Sequence, residues 1–362
     1  MRDTKFGALI NLIRDPDMAA ELDMVQWDLI VRQARSSRML AGLLNYLSDR
    51  DVIPAKARKH MESVEKQANR TIISTKWEVS LVEKLAKQVD YPVVVLKGGA
   101  YVLRGYKCSR GRIFSDLDLL VPEKNIYDFE RLLKNNGWKG EKLHPYDQKY
   151  YRLWMHELPP LTNTQTGASL DLHHNILPKT SHIKVDANRF LENIVPLKSY
   201  ENLYTFSPED MVLHSLTHLF HEGEFEHGLR DLVDLDLMLR QFAREDADFF
   251  ERLESRAITL NLQQPLYYAL KYVTHFLLTP VPAEILERCE QGRPLFPGLM
   301  DFFFIRALRP AHISCDDKLT AFARWGLYVR SHFLRMPLYL LIPHLLRKAY
   351  MARMEKEQTV EV

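Results

Sequence analysis

Two aspartates one residue apart, Asp116 and Asp118 in "IFSDLDLLV", are the residues of this chain whose type and spacing most directly invite chemistry. Side chains alternate along an extended strand, so both carboxylates project from one face while Leu117, Leu119 and Val121 project from the other. Like charges held that close oppose each other's ionisation unless something positive lies between them. A divalent cation answers that need. Mg²⁺ takes oxygen ligands and is commonly held by one or two carboxylates together with substrate phosphates, and paired ions stabilise the attacking and leaving oxygens of a phosphoryl or nucleotidyl displacement. Mn²⁺ suits the same oxygen ligands.

Upstream, "VVVLKGG" ends a β-branched run on Gly98 and Gly99, and "AYVLRGY" follows with helical potential. Backbone N–H groups and the positive end of a helix at such a junction suit a triphosphate. Lys97 and Arg112 flank it, Arg112 with a guanidinium built for bidentate contacts. With Ser115, beside the first aspartate, they make Lys97, Gly98, Gly99, Arg112 and Ser115 the candidate nucleotide-binding set. A third carboxylate, Asp171 in "ASLDLHHNI", shares a strand face with Ser169 and His173, opposite Leu170 and Leu172. Read alone, Asp171 is equally at home on the solvated face of an edge strand.

The elements that must position these residues follow from the texture of the chain. Residues 1–89 show helical spacing and no strand pattern, with Pro54 opening the second helical stretch. Residues 90–200 alternate strand, helix, strand, helix and a further strand: Val93–Leu96 is apolar on both faces, as in a covered sheet, and Ile126, Phe129, Leu132 and Leu133 are spaced as a helix closed by Gly137. Residues 201–362 return to helices. Ser207 is the expected N-cap of the first, with Pro208 at its first position. The "EKEQTVEV" tail is expected to fray.

The strings "LKGGAYVLRGY", "GRIFSDLDLLV", "SLDLHHNIL", "LYTFSPEDMVLHSLTHLF" and "GLRDLVDLDLML" resemble the uncharacterised bacterial nucleotidyltransferase family of the DNA polymerase β-like superfamily, from the N-terminal helices to about residue 242. The resemblance implies an α+β fold, a small mixed sheet flanked by N-terminal and C-terminal helical units. It implies Gly98 and Gly99 as the triphosphate turn, Asp116 and Asp118 as ligands of a two-metal site, and Asp171 as a third carboxylate that binds one metal and helps deprotonate the acceptor. The implied reaction is in-line attack of an acceptor hydroxyl on the α-phosphate of a nucleoside triphosphate such as ATP, with release of pyrophosphate. Where the superfamily often has Ser after the first glycine, this chain has Gly99, and its loop before the aspartates is longer. The acceptor, whether small molecule, RNA or protein, is not legible. Two other readings share the scaffold: a catalytically silent nucleotide- or protein-binding relative, and a toxin-like nucleotidyltransferase that modifies tRNA or a protein.

Composition sets the outer bounds. Lys plus Arg number 49 against 47 Asp plus Glu, a balance unlike that of proteins that bind DNA mainly through its phosphates. Cys108, Cys289 and Cys315 lack the spacing of a zinc site or a disulfide framework, and the N-terminal stretch lacks a long apolar secretory core, so the expected location is cytoplasmic. The run Met336–Pro343 falls short of the ~20 residues of a spanning helix. Flanked by Arg330, Arg335, Arg347, Lys348 and Arg353, it leaves peripheral membrane contact through residues 330–353 as an option beside packing on the body. His214, His218 and His221 share a helical face near Asp231 and Asp234. A metal is one use of them; an inter-helix bond such as His218 to Asp234 is the commoner one. Arg230 fits either an ion pair or the lining of a cleft. His173 faces with Asp171 and His174 faces away.

Overall fold

The computed structural model describes residues 6–360 except Ser48 and Glu222. Seven strands form one mixed sheet: β1 (Val93–Val95), β2 (Asp116–Leu120), β3 (Trp138–Gly140), β4 (Leu161–Asn163), β5 (Ser169–His173), β6 (Ile194–Pro196) and β7 (Leu203–Phe206). Their order is β3-β4-β5-β2-β1-β7-β6. β1 runs antiparallel to β2 and parallel to β7, while β2 runs parallel to β5. The fold is the expected α+β arrangement, helices flanking a mixed sheet. The three strands legible in the sequence, β1, β2 and β5, lie side by side with β7 at the centre or next to it. Those that were not legible are three or four residues long, and β6 ends in Pro196, which only an edge position tolerates well.

The alternation read along β2 and β5 partitions the sheet between two cores. Leu117, Leu119, Leu170 and Leu172 pack with Val93, Val95, Phe129 and Leu133, under the helix Ile126–Asn135. Val94 and Leu120 point the other way, into a larger core built with Trp27, Leu213, Phe220 and Phe276 from the N-terminal and C-terminal helices. The carboxylate face therefore looks into the layer of helices, and a cleft results wherever that layer does not close on the sheet.

One helix borders the cleft along its length. Ala55–Ala86 has 32 residues, roughly 48 Å at 1.5 Å per residue. Its start buries Ala57 and Met61 in the larger core, and its end buries Val79, Val82 and Leu85 in the smaller one. Its middle, anchored to neither, lines cavities instead. At the other edge stands Pro208–His221, whose N-cap is Ser207 as expected: Asp210 donates its backbone N–H to Ser207 Oγ at 3.3 Å.

Beyond residue 278 come Ala283–Cys289, Pro297–Ala307, Thr320–Arg335 and Leu338–Val360. The last runs into the tail expected to fray, of which residues 361 and 362 lie outside the described ones. Among the described residues, no helix is long and apolar enough to cross a membrane.

Candidate active site

Register brings the three aspartates together. In the β2–β5 ladder Asp118 stands opposite Asp171, and Asp116 opposite Ser169, so all three carboxylates share one face across two neighbouring strands. Asp118 is the deepest, 7% exposed, and Asp116 lies at the open end of β2. Ser115 Oγ donates to Asp116 Oδ1 at 3.3 Å. His173 Nε2 donates to Asp118 Oδ1 at 2.9 Å, and Lys97 Nζ stands 3.8 Å from the same oxygen.

These surroundings divide the carboxylates. Burial pushes Asp118 up, but Lys97 and the His173 bond outweigh it and hold Asp118 ionised, below the usual carboxylate range. Asp171 has no such partner: burial, then the charges of Asp118 and Glu157, push it up to about 7. Asp116 is raised by burial and by Asp118. Two of the three thus carry charge at a cost that a cation would relieve.

The glycines also have a packing duty that their sequence does not announce. β1 ends at Val95, Leu96 caps the next helix, and Lys97–Arg104 begins at Lys97 itself, so Gly98 and Gly99 lie inside the first helical turn. The unusual backbone falls on Lys97, at φ 39°, a region costly to a residue with a side chain. A Cβ on Gly99 would sit 2.8 Å from Val95 Cγ1 and 2.9 Å from Leu117 Cδ1, so its glycine serves close helix–sheet packing in the smaller core. A Cβ on Gly98 would sit 2.1 Å from Phe114 Cδ1; the Phe114 ring occupies that space. No side chain caps this helix, and its first-turn amides precede the first bond of the helical ladder, from Ala100 N–H to Leu96 C=O. A serine side chain at position 99 would therefore press into the core.

Among the described residues, two cavities reach both Asp116 and Asp118. One, of ≈ 520 Å³, is lined by Lys97, Asp116 and Asp118 together with Arg35, Arg38 and Arg230. Gly98, Arg112 and Ser115 also reach it. The other, of ≈ 380 Å³, shares Lys97, Asp116 and Asp118 and adds Asp171, Glu157 and Tyr151. The first is rich in cations and fits a polyphosphate; the second is where Asp171 opens.

The profile of the uncharacterised nucleotidyltransferase family matches residues 23–278. The chain belongs to this family. It is a nucleotidyltransferase, an enzyme that takes a nucleoside triphosphate as substrate. No curated protein and no solved structure matches the chain significantly. The matched segment of the nucleotidyltransferase contains all seven strands and every cation of the first cavity, including Arg35 from the N-terminal helix Met24–Ser36.

Several predicted residues have fixed local duties. Arg112 pairs with Asp234, lies 3.6 Å from Asp231 Oδ1, and has its guanidinium 5.4 Å from the Phe114 ring centre. Asp234 is thus held by Arg112. Arg230 does both things foreseen for it, donating to Asp231 Oδ1 at 2.8 Å while lining the first cavity. His221 Nε2 meets Ser181 Oγ at 3.0 Å, and His214 packs edge-on against Phe206. His218 lines both cavities, and burial holds it below its ordinary value.

Sequence reasoning missed His156 and Glu157. Residues 156–158 return along β5 beyond the end of β4: Glu157 forms an isolated bridge with His173, and Leu158 N–H bonds Leu172 C=O at 2.9 Å. The signal was a His-Glu pair directly before "LPPL", easily taken as a polar loop. Arg35 and Arg38 carried no signal at all, since only the tertiary fold brings the first helices to the sheet.

Proposed function

We propose that this nucleotidyltransferase moves a nucleoside monophosphate from a nucleoside triphosphate to a hydroxyl acceptor and releases pyrophosphate, with Mg²⁺ held by Asp116, Asp118 and Asp171. The observation that carries the reading is the register of β2 on β5, which sets Asp171 beside Asp118 on the face of Asp116. Asp171 and Asp116, pushed toward neutrality by burial and by neighbouring acids, fit a divalent cation by the chemistry of their oxygens. Bound there, Mg²⁺ would offset phosphate charge and ease loss of the acceptor's proton.

The two cavities divide the substrates. Arg35, Arg38, Lys97 and the amides at Gly98 attract the triphosphate on one side of the aspartates. The acceptor enters on the other side, where Asp171 lies. In-line displacement needs such opposed approaches. The acceptor hydroxyl gives its proton to Asp171 as its oxygen bonds the α-phosphorus. The bond to the bridging oxygen of the β-phosphate breaks, and pyrophosphate leaves with that electron pair.

Peripheral membrane contact through the C-terminal helices draws on Phe322, Trp325 and Tyr339, all exposed, Trp325 by 59%, and on exposed Lys348. Arg330 instead turns inward over Tyr268 and Phe304, and Arg335 lines the second cavity.

Calorimetry of ATP, GTP, CTP and UTP with and without Mg²⁺ tests the central claim. Metal-dependent binding of one of them, lost in the Asp116→Ala, Asp118→Ala double variant, is the expected result. Binding that ignores Mg²⁺ and survives in the variant would overturn it.

A further inference from the structure

Beside the second cavity, which His156 and Glu157 line, lies a cluster that the transfer chemistry above does not use. Among the described residues it is His156, Glu157 and His173, not the aspartates, whose ligand atoms all lie within 4.8 Å of one another. Glu157 Oε2 is 3.5 Å from His173 Nδ1 and 3.8 Å from His156 Nε2. The backbone fixes this grouping, because the Glu157–His173 bridge holds the two side chains opposite each other.

His173 is the informative member. It is 1% exposed, and its Nε2 carries a proton to Asp118 Oδ1, since an ionised carboxylate can only accept. Its Nδ1 is buried without a hydrogen-bond partner and faces a carboxylate. Two ligands each ~2.0–2.1 Å from a tetrahedral ion lie roughly 3.3–3.4 Å apart; the Glu157–His173 pair at 3.5 Å nearly meets this, and the Glu157–His156 pair at 3.8 Å would close on an ion by a small side-chain shift. His156 Nδ1 is likewise buried without a hydrogen-bond partner among the described residues.

We propose that His156, Glu157 and His173 bind a first-row transition-metal ion of the Zn²⁺ class, at a site distinct from the oxygen-only aspartate set. Two imidazoles and one carboxylate select such an ion over Mg²⁺. A metal-bound histidine that donates its other N–H to a carboxylate is a recurrent arrangement, and here that carboxylate is Asp118. The ion fixes the His173 tautomer and, through it, the orientation of Asp118. His173 is in this sense a positioning residue. The inference does not depend on which substrate the second cavity accepts.

Co²⁺ is the probe. Full-length protein is stripped with a chelator and titrated with Co²⁺ in excess Mg²⁺, and the visible d–d absorption of nitrogen-ligated Co²⁺ is followed. One equivalent is expected to bind despite Mg²⁺. His156→Ala and the isosteric Glu157→Gln should each weaken binding at least tenfold, whereas Asp116→Asn should leave the spectrum intact. Far-UV circular dichroism verifies the fold of each variant, and Glu157→Gln remains decisive if His156→Ala does not fold. No d–d signal, Co²⁺ displaced by Mg²⁺, or loss with Asp116→Asn in place of Glu157→Gln would overturn the proposal. Nucleotide binding in the calorimetric experiment is a separate readout, so failure of one reading does not imply failure of the other.

Discussion

Asp171→Asn should stabilise the metal-free protein while removing its activity. Burial, then Asp118 and Glu157, move the Asp171 carboxyl from 3.8 to about 7. The sign follows from linkage. The folded state disfavours the ionised form, so Asp171 subtracts stability as pH rises above ~4, and the loss levels off only above about 7. A carboxyl shifted that far favours its neutral form by ~4 kcal/mol. Solvent reaching the cavity screens part of this, and ~2 kcal/mol is the working figure. Asparagine keeps the shape and cannot ionise. In urea denaturation with EDTA, the variant should exceed the wild type by ~2 kcal/mol at pH 8 and by less than half of that at pH 5. Saturating Mg²⁺ at pH 8 should narrow or reverse the gap, because the ion binds the folded wild type through the carboxylate that the variant lacks. A variant no more stable than the wild type at pH 8, or a gap that does not change with pH, would refute the view that this carboxylate is held against its own charge.

Gly99→Ser should destabilise the protein by ~1–3 kcal/mol, read from the urea midpoint, because its Cβ would press on Val95 and Leu117. Asp234→Ala should lower stability by ~3 kcal/mol in the same assay, since Arg112 would keep its largely buried guanidinium with only the more distant Asp231 in reach. Wild-type protein should sediment with vesicles rich in anionic lipid and not with neutral ones, and Trp325→Ala should cut the bound fraction several-fold. Equal sedimentation of the two proteins would remove the membrane reading.

The centre of the site was legible because its signals are local. Alternation along "DLDLL" and "SLDLH" fixed which residues face the cleft, and the apolar partners Leu117, Leu119, Leu170 and Leu172 are where alternation put them. What was not legible depends on approach rather than pattern. Gly98 and Gly99, read as a phosphate turn, also meet a packing demand, because Val95, Leu117 and Phe114 stand close to where their Cβ atoms would be. The strained backbone sits on Lys97, a residue whose type announces nothing of the kind. Arg112, read as a phosphate ligand, is anchored by Asp234 from a helix more than a hundred residues away, a pairing no single-sequence pattern encodes. Glu157 became visible only once the chain was seen to return along β5.

The two cavities also differ in where their walls come from, and this bears on what the family holds in common. Arg35, Arg38, Lys97, Arg112 and Arg230, which make the first cavity cationic, all fall within the family-matched segment, residues 23–278. The second cavity takes Arg335 from Thr320–Arg335, outside that segment. A triphosphate is the same chemical group for every nucleotidyltransferase, so the residues that receive it can be held fixed. The acceptor is what distinguishes one such enzyme from another. On the proposed reading it enters the second cavity, where Arg335, from beyond the family-matched segment, joins the wall.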